Sequence, residues 1–360
     1  MQMQEDIQIA DIEIELSRLK EAQGGDQTRA CLFNLVVYSH EKRRTEYLRE
    51  LLQSIVAKFP CRILFIQVDN APDQNYIRVN VSSDVVGKDG GIVCDQIFIE
   101  VSVKQLHRVP FILLPHFVPD LPIYLLWGQD PTQKNEILPH LERLAARLIF
   151  DSECSRDLQV FSLKMLNLMD SQPKFDLVDM HWILTNGWRN VMSQVFDSQH
   201  VQKLQNCRAI RICYNDRKSD WFAHSHTQAI YLFAWLASCF HWKECIREKN
   251  ESEGLYGFTC SHGMTGCRVA LEPKTYPDLM PGSIVGVTID SYEGDSFVIS
   301  PMGNLPKAVV HISSPATCDL PFTLALPSLQ RNFPYVQELF FSPGAPAYRQ
   351  MLEFIAQIAW

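Results

Sequence analysis

The feature that most limits the fold is a strand–helix–strand pattern near the start of the chain. Within Ala30 to Tyr38, the run Leu32-Phe-Asn-Leu-Val-Val37 is apolar except at Asn34 and does not alternate. A strand of that kind is buried on both faces. A helix is expected from about Lys42 to Lys58, because Tyr47, Leu48, Leu51, Leu52, Ile55 and Val56 recur at three- and four-residue spacing. Pro60 ends it, and Cys61 to Val68 reads as a second buried strand. Such a beginning implies a right-handed crossover and a largely buried sheet.

The remaining pattern extends this start. Ile7 to Leu19 reads as a short helix, broken by Gly24-Gly25. Tyr76–Ser82 and Cys94–Val103 alternate around Val85–Gly91, which predicts a hairpin and a mixed sheet. Val109–Phe117 is expected to be helical, Pro122–Trp127 a strand, Asn135–Arg147 a helix and Leu148–Phe150 a strand. Ser155–Met169 and Leu177–Phe196 are read as helices closing the first domain. After polar residues 198–206, a strand at Arg208–Tyr214 and a long buried helix at Phe222–Trp242 follow. Lys243–Gly254 reads as a charged loop, then six strand-length runs lie between 255 and 326, with helices at Leu329–Phe341 and Pro346–Trp360. The expected class is α/β. An N-terminal helical segment (1–27) precedes a mixed-sheet α/β domain (28–198), and a C-terminal α+β domain (207–360) has an antiparallel sheet and terminal helices.

Charge and composition narrow the function. The net charge is −8 with 21% charged and 46% hydrophobic residues, so the chain is globular and lacks the basic excess of a nucleic-acid binder. The dense cluster Lys42-Arg43-Arg44 reads as a solvated helix start. No apolar stretch is long enough to cross a bilayer, and Met1–Lys20 lacks a signal-peptide core. A cytoplasmic protein with no membrane partner is expected, and its 11 cysteines, without a CxxC pair, are expected to be reduced and mostly buried.

Two tryptophan-bearing segments are the strongest candidates for function. In Val118-Pro-Asp-Leu-Pro-Ile-Tyr-Leu-Leu-Trp127, Pro119 and Pro122 make a rigid turn around Asp120. Asp120 is placed either to accept backbone N–H groups or to face a partner. Trp127 ends a strand at the sheet edge where ligands bind in α/β folds, or simply caps the core. In the second segment, Leu177, Met180, Leu184, Trp188, Val191 and Val195 form a core stripe on a continuous helix. Trp182 and Arg189 share the opposite side. An aromatic beside a guanidinium outside the core is hot-spot chemistry. The competing reading has Trp182 in a second packing layer and Arg189 paired with Asp179.

The weaker motifs carry little. Gly87-Lys-Asp-Gly-Gly91 lacks the GK[ST] ending of a P-loop. Cys260, His262 and Cys267 match no standard zinc spacing, so no metal site is assigned. His224 and His226 read as a satisfied surface pair. No G-x-S-x-G, HExxH or G-x-G-x-x-G is present, so no catalytic residue and no cofactor are assigned.

The ordered pieces together resemble the OpcA family of glucose-6-phosphate dehydrogenase assembly proteins. They are Thr28-Arg-Ala30 leading into Leu32–Val37, Pro60-Cys-Arg62, Cys94-Asp-Gln-Ile97, Pro119–Trp127, Leu144-Ala-Ala-Arg147 running to Asp151-Ser152, and Asp179–Asp197. The family favours Asn at His181, Pro at Gly187 and Glu at Asp95, and many members have a second tryptophan at Leu126. The resemblance implies a non-catalytic assembly factor and allosteric activator in the oxidative pentose phosphate pathway. Its partner would be glucose-6-phosphate dehydrogenase, met through Trp182 and Arg189 first and Asp120 and Trp127 second, with self-association left open. The alternative is a sugar-phosphate sensor or enzyme of the same pathway, with its site near Arg62, Trp127 and Asp130.

Overall fold

A computed structural model describes residues 6–22, 31–40, 42–71, 73–86, 92–171, 175–198, 200–218, 224–248, 255–262, 265–303, 305–327, 335–342 and 346–358. The opening pattern forms as expected. Strand β1 (Asn34–Ser39) is followed by helix α2 (Lys42–Val56) and strand β2 (Arg62–Asp69), and β1 and β2 pair in parallel. All six residues of β1 are buried, which is why its sequence does not alternate. Before β1 stands α1 (Ile12–Ala22), and after β2 come the antiparallel strands β3 (Ile77–Val86) and β4 (Ile92–Ser102). The expected hairpin tip at Gly87–Gly91 lies outside the described residues.

A run of short helical turns from Val103 to His116, including α3 (Val109–Leu113), leads to β5 (Ile123–Trp127). Then come α4 (Leu138–Glu142), β6 (Arg147–Phe150), α5 (Leu158–Asp170) and β7 (Asp176–Asp179). The first sheet has the order β3-β4-β2-β1-β5-β6-β7, parallel throughout except for edge strand β3.

Three expectations are corrected here. The helix over Asn135–Arg147 shrinks to Leu138–Glu142, because Arg147 is needed in β6, opposite Tyr124 and Asp176. The helix over Leu177–Phe196 does not begin at Leu177. Leu177 and Val178 belong to β7, followed by α6 (Met180–Leu184) and α7 (Asn186–Val195), separated at Thr185. The charged segment after Trp242 is partly a strand, as described below.

After α8 (Val201–Gln205), β8 (Cys207–Asn215) enters a second sheet. Helix α9 (Thr227–Cys239) is buried around most of its circumference and packs on β8 and on β11 (Thr265–Lys274). The other strands are β9 (Lys243–Glu248), β10 (Tyr256–His262), β12 (Ile284–Ser291), β13 (Ser296–Pro301), β14 (Lys307–Ser313) and β15 (Phe322–Ala325). The order is β15-β14-β13-β12-β8-β11-β10-β9, and every neighbouring pair is antiparallel except β8 with β11. The sheet is therefore mixed. Strand β9 falls in the expected loop. Its charges suit an edge strand, where they discourage pairing with another chain. Helices α10 (Val336–Phe341) and α11 (Pro346–Gln357) close the chain, and Tyr348, Met351, Leu352 and Ile355, at three- and four-residue spacing, form the buried stripe of α11.

The chain divides into two compact units. The first comprises Met1–Ser155, Met169–Asp179 and Leu339–Ser342; the second comprises Arg156–Leu168, Met180–Glu338 and Pro343–Trp360. Residues 198–206, expected to be the boundary, lie inside the second unit. In the first unit, Phe340 returns to stack on Phe33 (4.8 Å between ring centroids) and on Tyr124 (5.9 Å). In the second, Cys245 and Cys260 form a disulfide between β9 and β10, against the expectation of reduced thiols, while Cys207 and Cys267 place their Sγ atoms 3.3 Å apart without a bond. Cys260 is thus committed elsewhere than to a zinc set.

Candidate functional site

In the first unit the sheet winds outward from β1 on both sides, through β2 and through β5. The gap above the carboxyl ends of β1 and β5 is the switch point, where open α/β sheets bind ligands. Tyr38 of β1 and Trp127 of β5 meet there, their rings stacked at 3.9 Å and 5°. The Asn135 side-chain amide donates to the Tyr38 hydroxyl (2.8 Å) and to Gln129 Oε1 (3.0 Å). Burial raises the Tyr38 phenol pKa, against the effect of Asn135, so it stays a neutral hydroxyl. Gly128 follows Trp127 and donates its N–H to Tyr38 O (2.9 Å). A Cβ at Gly128 would lie 2.5 Å from Leu48 Cδ1 and 2.7 Å from Tyr38 O, so only glycine allows this approach. Trp127 is 0% exposed and acts as core.

Beside this stack lies a buried ion cluster that the sequence reading missed. Arg44, in the first turn of α2, is not solvated. It pairs with Asp151 and, at 3.6 Å, with Glu153, both just beyond β6. The three residues are 7%, 1% and 1% exposed. Burial opposes the Arg44 cation, but Asp151, Cys154 and Glu153 outweigh it and hold its pKa well above the ordinary value. Asp151 Oδ1 also accepts the Glu153 N–H (3.1 Å), and Cys154 Sγ donates to Gly128 O (3.5 Å). The signal available in sequence was an acidic Asp-Ser-Glu after a buried parallel strand, at the same sheet edge as the start of α2.

The other candidates in this unit separate. Asp130 is a turn former, accepting from Thr132 N (2.9 Å) and Thr132 Oγ1 (2.6 Å). Arg62 opens β2, so it lies at the amino edge, the opposite edge from Trp127 and Asp130. There it pairs with Asp95 (2.9 Å) and donates to His116 O (3.1 Å). Arg62, Trp127 and Asp130 therefore make no common sugar-phosphate site. Asp120 is exposed, with φ at 63° in the left-handed region that Asp tolerates better than most residues. The turn around it is held instead by Asn34, which donates to Val118 O (3.1 Å) and Leu121 O (3.4 Å) and accepts from Val118 N (2.8 Å).

In the second unit Trp182 and Arg189 come together as expected, but inside the protein. They are 6% and 8% exposed, which corrects the expectation of a surface pair. The Arg189 guanidinium lies 3.4 Å from the Trp182 ring centroid and donates to Trp182 O (2.6 Å) and to Thr185 Oγ1. Trp182 is covered by Tyr348 of α11, at 5.3 Å. At the break at Thr185 the Trp182 carbonyl takes both the guanidinium and the Thr185 hydroxyl. Burial lowers the Arg189 pKa to about 9, against the pull of Glu338, and leaves a cation at neutral pH. Glu338 in turn accepts from Asn186 (2.9 Å). Gly187 fits tightly here, since a Cβ would lie 2.5 Å from Pro327 Cδ.

The exposed apolar residues of the first unit include Val103, Phe111 and Leu114, which are 46%, 75% and 48% exposed. All three lie on the helical run before Asp120, interleaved with exposed Lys104, His107 and Arg108. Among the described residues, no helix is long and apolar enough to cross a membrane.

Comparison with known proteins adds the family. A model described as the glucose-6-phosphate dehydrogenase subunit N-terminal domain matches residues 53–166, and one described as the C-terminal domain matches residues 176–316. The putative OxPP cycle protein OpcA of Synechocystis sp. (strain ATCC 27184 / PCC 6803 / Kazusa) is 22% identical over 197 residues, a stretch covering 53% of this chain and 39% of that protein. Among solved structures, glucose-6-phosphate 1-dehydrogenase from Mycobacterium avium is similar with a TM-score of 0.56 at 8% identity, over 91% of each chain. KijD10, a 3-ketoreductase from Actinomadura kijaniata in complex with NADP and TDP-benzene, gives a TM-score of 0.51 at 9% identity, over 89% of this chain and 94% of that one. At such identities the likeness is one of fold alone. The two domain matches cover well over half of the sequence, and the chain belongs to the OpcA family of glucose-6-phosphate dehydrogenase assembly proteins.

Proposed function

We propose that this chain is a non-catalytic assembly factor that binds glucose-6-phosphate dehydrogenase and biases it toward its active state. The observation that carries this reading is the pair of domain matches over residues 53–166 and 176–316. Activation requires tighter binding to the active than to the inactive form of the enzyme. The contact face would be the exposed helical run of the first unit. It offers Phe111, Leu114 and Val103 among Lys104, His107 and Arg108, with Asp120 on the turn beyond. An aromatic anchor among cations is the composition of an interface centre. Trp127, Trp182 and Arg189 would act from beneath the surface, holding the frame that presents such contacts.

The test is size-exclusion chromatography of this chain with the dehydrogenase of the same organism, with light scattering on the peak. A shared peak larger than either protein alone supports the reading. Separate elution at concentrations well above micromolar removes it. Phe111→Ala with Leu114→Ala should weaken the shared peak and leave the thermal midpoint unchanged; an undiminished peak would place the contact elsewhere.

A further inference from the structure

The strand order puts a switch point above β1 and β5, and folds of this class place a dinucleotide there. An open crevice needs glycines in the turn after β1, a helix start free to receive phosphate charge, and an acid at the end of β2 for a ribose hydroxyl. Here the turn reads Ser39-His40-Glu41-Lys42, with no glycine. The first turn of α2 delivers Arg44, committed to Asp151 and Glu153. Asp69, which ends β2, already accepts from Ala71 N (2.9 Å) and from the Tyr76 hydroxyl (2.9 Å). A nicotinamide dinucleotide does not fit these residues. Its phosphates would meet two buried carboxylates, and like charges away from water repel strongly.

We propose that the first unit is a dinucleotide-binding fold closed from within. Asp151 and Glu153 give Arg44 and the start of α2 the negative charge that a dinucleotide's phosphates give in open folds of this class. The chain therefore works without a nicotinamide cofactor. Three features close the crevice together. The stacked Tyr38 and Trp127 rings lie at its floor, Gly128 brings the backbone just after β5 against Leu48, and Asp151 and Glu153 hold Arg44 in the first turn of α2. None of these depends on the dehydrogenase as partner, so the inference stands or falls separately from the assembly reading.

Two measurements test it. The full-length chain is titrated with NADP and, separately, with inorganic pyrophosphate, while thermal unfolding and heat of binding are followed. Neither compound should shift the midpoint at millimolar concentration; saturable stabilisation by either overturns the proposal. The second measurement addresses the cluster. Arg44→Met should lower the midpoint by several degrees, and adding Asp151→Asn and Glu153→Gln to that chain should recover at least half of the loss. Losses that add instead of cancelling contradict the proposal. Should Arg44→Met fail to fold, folding of the triple variant is the expected rescue, and its failure is the contradiction.

Discussion

Two of the buried arginines, Arg44 in the first unit and Arg189 in the second, solve the same problem in different ways. Arg44 is paired with two carboxylates, and its pKa is held well above the ordinary value. Arg189 meets a carbonyl, a hydroxyl and the Trp182 ring, with Glu338 as its carboxylate influence, and burial lowers its pKa to about 9. Dipoles and a ring face compensate a buried cation less completely than a full anion does. The Arg44 cluster thus answers charge with charge, whereas the Arg189 node is a packing device that tolerates some charge cost.

The largest expected effect follows from that difference. Arg44→Met removes the cation that both buried carboxylates face and should cost about 3–5 kcal/mol, read by denaturant unfolding. A cost below that of Arg189→Met would break the comparison. His226 extends it to a half-buried base facing His224 and Arg247. Burial, then His224 and Arg247, lower its pKa to about 4, from an ordinary value of 6.5. The unfolded state therefore binds the extra proton first, so stability should fall as pH drops from 7 toward 4, by about 2 kcal/mol from this group. His226→Gln should flatten that slope. An unchanged slope would show that His226 is not the group responsible.

Arg189→Met should cost less, about 1–2 kcal/mol, because it removes hydrogen bonds to Trp182 O and Thr185 but also relieves a desolvated charge. Arg189→Lys should recover little, since an ammonium lacks the planar face that stacks on Trp182. The smallest effect on stability is expected from Phe111→Ala, within about 0.5 kcal/mol, because the side chain is 75% exposed. Its effect should appear in binding to the dehydrogenase instead.

Much of the fold was legible because burial leaves a plain mark on sequence. The apolar run into β1 and the strand-length runs between 255 and 326 mark both sheets, since side chains facing two cores read differently from those facing one. Leu177 and Val178 misled because a short apolar run fits a helix stripe as well as a buried strand. Strand β9 was hidden by its charges, which edge strands need. The site was less legible. The seven-residue spacing of Trp182 and Arg189 announced their pairing, but the burial comes from Tyr348, distant in sequence. Arg44 looked solvated beside Lys42 and Arg43, and the carboxylate that accounts for its burial lies 107 residues away. Local pattern cannot report a charge pair made by topology.

Activation of the dehydrogenase is tested most directly by a rate titration. Glucose 6-phosphate-dependent NADPH formation by the dehydrogenase is followed as this chain is added at fixed enzyme. A saturable rise in rate is expected from the mixture, with no NADPH from this chain alone. A flat titration, or NADPH formed by this chain without the dehydrogenase, would contradict it.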